Sequence, residues 1–169
     1  MTAPAIVLIG PMGAGKSSIG KKLAKRLELG FSDSDSIVVR EHGPIERIFT
    51  EQGEAHFRTL ERRAVADALR GGGVVALGGG AVLHPDTQTD LAGHLVVLLT
   101  VSERTIASRI RDSARPLLQG EDPLARWREV YAARRDLYER LADLTVDTSS
   151  GPIQQIVDEL ADRVRKEPS

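Results

Sequence analysis

The sequence predicts an α/β fold, a parallel β-sheet covered by helices on both faces, and three observations carry the prediction. Apolar strand-like runs recur along the 169 residues, at 5–9, 74–77, 95–99 and, more weakly, 144–146. Segments of helical periodicity fill the gaps between them, which is the alternation that crossover connections require. A glycine-rich turn, Gly10-Pro11-Met12-Gly13-Ala14-Gly15-Lys16-Ser17, joins the first such strand to the first such helix.

Each element has its own reason. No polar residue interrupts Ala5-Ile6-Val7-Leu8-Ile9, as expected of a strand buried on both faces. After the turn, Ile19, Leu23, Ala24 and Leu27 fall at helical spacing, with Lys and Arg on the opposite face. The turn itself fits G-x-x-x-x-G-K-S/T, the phosphate-binding loop. Its glycines let the backbone curl so that the N–H groups of Gly13, Ala14, Gly15, Lys16, Ser17 and Ser18 converge on an anion, helped by the positive end of the new helix. Lys16 supplies a mobile cation for the β- and γ-phosphates, and the Ser17 hydroxyl can ligate Mg²⁺. The turn implies binding of a nucleoside triphosphate.

The next informative stretch is Phe31-Ser32-Asp33-Ser34-Asp35, placed where a second strand should end beside the phosphates. Alternating carboxylates in an extended segment point to opposite sides, one toward Mg²⁺ and Lys16, the other toward an acceptor. Either aspartate also suits the N-cap of a helix starting near Ile37. Phe57, Leu60, Ala64, Ala68 and Leu69 predict a helix over about 54–70. On it Arg58 either reaches a cleft or makes solvated i,i+4 pairs. Gly71-Gly72-Gly73 reads as the turn after that helix, whereas Gly78-Gly79-Gly80 leaves the third strand at its carboxyl end, where open α/β sheets bind ligands.

Ser102 suits the cap of a helix carrying Ile106 and Ile110. From Arg109 to Gly120 periodicity is lost, and three arginines with Pro116 predict a mobile lid over about 109–121. A helix over about 123–141 follows, in which Trp127 and Tyr131 lie four apart on one face and read as packing. Pro152 opens a last helix striped by Ile153, Ile156, Val157, Leu160 and Val164. The four histidines show no ligand spacing.

Composition narrows the class. The formal net charge is −1, which gives no support for a nucleic-acid or membrane-surface partner. The chain has no cysteine, so disulfides, thiolate zinc sites and thiol catalysis are excluded. Its length suits a single domain spanning 1–169, and the four residues before the first strand leave no room for a signal peptide. A cytoplasmic enzyme is the expectation.

Taken together, these landmarks make the chain resemble the shikimate kinases along nearly its full length. They are the phosphate loop, Phe31-x-Asp33-x-Asp35, Gly53-Glu54-x-x-Phe57-Arg58-x-x-Glu61, Gly78-Gly79-Gly80, Arg115-Pro116-Leu117-Leu118 and Arg134-x-x-Leu137-Tyr138. The resemblance implies a P-loop three-layer sandwich of the nucleoside-monophosphate-kinase type, acting as a monomer on ATP and shikimate with one Mg²⁺. It implies that Ser17 and Asp33 hold the metal, and that Asp35 binds and orients the attacking hydroxyl. Arg58 and Arg134 would clamp the shikimate carboxylate, with Gly79 and Gly80 against the ring, in an acceptor region over about 33–62. Arg115 would join Lys16 at the transferring phosphoryl.

The chain departs from the family at Asp136, where a proline is usual, and at Ser108, where many relatives carry an arginine; here Arg109 stands beside that position. Residues 148–152 lack an arginine that some relatives have, so the adenine contacts are left open. Two rival readings are a gluconate or nucleoside-monophosphate kinase of the same fold, and a nucleotide-binding regulator without catalysis.

Overall fold

The computed structural model describes residues 3–110 and 122–168, Ile110 by its backbone alone. Among these, five strands form one all-parallel sheet: β1 (Ile6–Ile9), β2 (Phe31–Asp33), β3 (Val74–Ala76), β4 (Leu95–Thr100) and β5 (Leu144–Asp147), in the order β2-β3-β1-β4-β5. After β1 the chain fills one side of the sheet and returns to the other. Register then sets the site. Asp33 of β2 lies opposite Ala76 of β3, and Ala76 opposite Leu8 of β1, so three loops leave the carboxyl edge at one level.

Alternation along the strands divides the core. Ile6, Leu8, Val97 and Leu99 face α1 (Lys16–Leu27) and α8 (Ile153–Lys166), through Ile19, Leu23, Val157 and Leu160. Val7, Ile9, Val75 and Leu98 face α4 (Glu54–Gly71) and α7 (Pro123–Leu141), through Val65, Leu69 and Tyr138. A third cluster, Val38, Ile48, Phe57, Leu60 and Ala64, joins α2 (Ser34–His42) and α3 (Ile45–Gln52) to α4 beyond the sheet. The remaining helices are α5 (Pro85–Leu91), entered through a 3₁₀ turn at Ala81–Leu83, and α6 (Glu103–Ile110). Helices thus cover both faces, as the strand and helix alternation predicts.

Two expectations need correction. The helix expected near Ile37 begins at Ser34, because Asp33 caps it by accepting from the N–H groups of Asp35 and Ser36 at 2.9 and 3.2 Å. Asp35 therefore lies in a first helical turn and not in an extended segment. Arg109, the first residue of the expected lid, belongs to α6. The rest of that stretch, Arg115 included, lies at 111–121 outside the described residues, apart from the backbone of Ile110.

Candidate active site

The phosphate loop is held from three directions. A Cβ on Gly10 (φ 142°) would run into the carbonyl of Leu99, and one on Gly13 (φ 83°) into the side chain of Ile106, so the loop lies flat on β4 and α6 only as glycine. The Trp127 indole N–H, brought by α7, donates to the Met12 carbonyl at 2.8 Å. The buried Thr148 hydroxyl, just past β5, lies 2.8 Å from the Ala14 carbonyl. Arg109 donates to the Gly13 carbonyl and, at 3.4 Å, to that of Thr148. Lys16 folds along the loop, its ammonium 2.6 Å from the Gly10 carbonyl and 3.2 Å from that of Pro11. The N-terminus of α1 opens beside it.

Met12, Gly13, Ala14, Gly15, Lys16 and Arg109 line a cleft of about 1080 Å³, together with Ser17, Ser18, Asp33 and the 148–151 segment. On its wall the Ser17 hydroxyl donates to Asp33 Oδ2, while Oδ1 of the same carboxylate caps α2. The two readings of Asp33 are therefore compatible: one oxygen caps, and the other faces the cleft.

A second cleft of about 360 Å³, within the size range of small-molecule sites, lies between α2, α3, α4 and the loop after β3. The two clefts share Met12, Asp35 and Val39. The triple-glycine loop forms one wall, and charged side chains press on each of its residues in turn. A Cβ on Gly78 would meet the Asp35 carboxylate, on Gly79 it would come 3.5 Å from Arg134, and on Gly80 it would strike the Arg58 guanidinium. The loop is fixed from below, where the buried Ser34 hydroxyl accepts from the Gly78 N–H at 2.9 Å and the Tyr138 hydroxyl donates to the Gly79 carbonyl at 2.6 Å. Three elements distant in sequence thus bring a carboxylate and two guanidinium groups to one strip of bare backbone.

Arg58 makes both kinds of contact foreseen for it. It borders the cleft, and it pairs with Glu61 at 2.9 Å and Glu54 at 3.3 Å along α4. Glu61 is 4% exposed, and burial pushes its carboxyl up to about 7, opposed by Arg58 and assisted by the nearby charge of Asp35. Burial likewise raises the Tyr138 hydroxyl, against Arg134 beside it. Arg134 is itself buried, whereas Arg135 stands at the surface paired with Glu139 at 3.0 Å. Of the two adjacent arginines, only Arg134 adjoins the glycine loop.

The structure thus gathers Gly13, Ala14, Gly15, Lys16, Ser17, Ser18, Asp33 and Asp35 on the first cleft, and Asp35, Arg58, Gly79 and Gly80 on the second, with Arg134 against Gly79. Sequence reasoning gave no part to Ser34, Thr148 or the tryptophan's N–H, placed Arg109 in the lid, and quoted Glu61 only as a landmark. The partners of Ser34, Thr148, Arg109 and Trp127 lie tens of residues away in the chain, and only the fold brings them together. Trp127 and Tyr131 do pack together, ring centroids 5.2 Å apart.

Comparison with known proteins bears on the family and the fold. A family model described as shikimate kinase matches residues 12–165. A curated shikimate kinase of Streptomyces coelicolor is 46% identical over 167 residues, covering 97% of each chain. A solved shikimate kinase from Acinetobacter baumannii, in complex with shikimate, superposes with a TM-score of 0.91 at 34% identity, covering 97% of this chain and 94% of that one. A gluconokinase from Sinorhizobium meliloti reaches a TM-score of 0.61 at 22% identity, a likeness of fold alone.

Proposed function

The chain belongs to the shikimate kinase family, and from that premise we propose how its own residues carry the γ-phosphate of ATP to the 3-hydroxyl of shikimate. The observation that supports the assignment of roles is the junction: Asp35 borders both clefts, so one carboxylate stands between donor and acceptor. Asp35 binds the acceptor hydroxyls and orients the attacking oxygen. That oxygen bonds to the γ-phosphorus as the bond to the β-phosphate oxygen breaks, ADP leaves, and the hydroxyl proton passes to Asp35. Positioning and electrostatics dominate where such a transition state is loose.

Backbone N–H groups from Gly13 to Ser18 and the N-terminus of α1 hold the phosphates, and Lys16 moves from the loop carbonyls to the β- and γ-oxygens. Arg58 and Arg134 approach the glycine loop from two helices, and two guanidinium forks suit a planar carboxylate. Gly79 and Gly80 offer bare backbone to the ring. Arg115, outside the described residues, is assigned from the sequence resemblance alone to offset charge on the transferring phosphoryl, as part of a lid over about 109–121 in a single domain of 1–169.

Ser17 and Asp33 would hold Mg²⁺. Their oxygens meet on the wall of the first cleft, a pair of hard donors that phosphate oxygens and waters could complete, as Mg²⁺ prefers. Among the described residues no group of three or more His, Cys, Asp or Glu forms a protein-only cage, which fits a metal that arrives with its nucleotide. When bound, the ion neutralises charge on the triphosphate.

We take the protein to act as a cytoplasmic monomer; among the described residues no helix is long and apolar enough to cross a membrane. The test is a kinetic panel of purified protein with ATP, Mg²⁺ and shikimate, gluconate or nucleoside monophosphates, run beside Asp35→Asn. Turnover on shikimate that collapses in the variant is expected. Near-normal kcat in a well-folded Asp35→Asn would refute the role given to that carboxylate.

A further inference from the structure

Arg58 already holds two carboxylates of its own helix. The side chain of Glu54 is 54% exposed and solvated, but that of Glu61 is only 5% exposed. The charged groups facing Glu61 are Arg58 on α4, Asp35 from α2 and Arg134 from α7. From α3, Glu46 lines the same cleft, and Gly78, Gly79 and Gly80 bring no charge. Around the cleft, the three carboxylates of Asp35, Glu46 and Glu61 already outnumber the guanidinium groups of Arg58 and Arg134. A carboxylate that enters this clamp adds a further negative charge beside a glutamate side chain that is only 5% exposed. Of these carboxyls Glu61 is the most buried, and it shares Arg58 with the newcomer directly.

We propose that Glu61 takes up a proton from solvent when the acceptor's carboxylate enters the Arg58–Arg134 clamp, so that it is the positioning residue through which acceptor binding responds to pH. This rests on the assignment of the clamp to the shikimate carboxylate. Burial has already brought the Glu61 carboxyl to about 7, close to neutrality. A second anion within reach of Arg58 withdraws part of the attraction that keeps Glu61 ionised and adds repulsion of its own. The neutral acid still fits, since its hydroxyl can donate and its carbonyl oxygen can accept from Arg58.

Titration calorimetry of shikimate into the full chain, in buffers of different ionisation enthalpy, measures the proton directly. A rise of the carboxyl by about one unit on binding corresponds to uptake of about 0.4 proton at about pH 7, and to affinity that weakens roughly eight-fold from about pH 6 to about pH 9. Glu61→Gln should bind shikimate with no uptake and a nearly flat profile. Should that variant fail to fold, the wild-type uptake and the pH at which affinity changes decide the matter. Binding with no uptake in the wild type, or uptake of equal size in Glu61→Gln, would overturn the proposal alone. Failure of shikimate to bind at all would sink the clamp assignment, and this proposal with it.

Discussion

Glu61→Gln also makes a prediction that needs no ligand. The wild-type carboxyl ionises near 4.5 in an unfolded chain and near 7 in the fold. A raised value means that the folded state holds the proton more tightly. The group therefore costs nothing well below 4.5, its cost grows as pH rises through that window, and it is constant above 7. The ionised carboxylate costs under about 1 kcal/mol at about pH 5 and roughly 3 kcal/mol at about pH 8. Glutamine keeps the size and can still accept from Arg58, but it does not titrate. The stability of Glu61→Gln relative to wild type should thus improve by about 2 kcal/mol between those pH values, or about 4–8 °C in Tm for a chain of this length. Thermal unfolding of both proteins by circular dichroism, across that pH range, isolates the effect because other titrating groups cancel in the difference. A difference in Tm that does not move with pH would refute the argument.

The other predictions test the two clefts and the ties between them. Lys16→Ala and Asp35→Asn should each lower kcat by about a hundred-fold or more while the circular dichroism spectrum stays native. Arg134→Lys should raise the KM for shikimate by roughly ten-fold and that for ATP little, whereas Arg135→Lys, paired at the surface with Glu139, should change neither; the opposite pattern would move the clamp by one residue. Gly80→Ala drives a methyl group into the Arg58 guanidinium and should raise the shikimate KM with a smaller effect on Tm; an unchanged KM would show that Arg58 is free to step aside. Thr148→Val leaves the Ala14 carbonyl without its hydroxyl donor, which should cost roughly 1–2 kcal/mol in urea unfolding and raise the KM for ATP. An unchanged stability would mean that the hydroxyl does not hold the loop.

Much of this molecule is legible in its sequence where local chemistry decides the outcome. The helix expected over 54–70 runs from Glu54 to Gly71, and that expected over 123–141 matches α7 at both ends. Long apolar stripes with clear boundaries report themselves. The start of α2 was displaced because Asp33 closes a strand and caps a helix at once, and periodicity cannot apportion one residue between two elements. Short α5, with Leu91 its single large apolar residue, has almost no periodicity to read. The phosphate loop needs only its own residues to be recognised. The acceptor cleft is different, because periodicity leaves Arg58 and Arg134 among many helix arginines, and only the family resemblance singles them out as a pair. Glu61 shows the limit most sharply: on a helix rich in Arg and Glu it looks solvated, and only tertiary packing around α4 buries it.

Trp127 has one more use. It is the only tryptophan in the chain, and its indole N–H is bonded to the carbonyl of Met12, a residue common to both clefts. An indole's emission depends on the polarity and hydrogen bonding around its ring, so the molecule carries an optical reporter wired to the backbone of its phosphate loop. Nucleotide that shifts the Met12 carbonyl should alter that emission without any label being attached. The same helix carries Arg134 two turns further along, so filling the neighbouring cleft should register in the same signal. Comparing the spectral change for each ligand alone with the change for both together would then read out, in light, whether the two halves of the site sense one another.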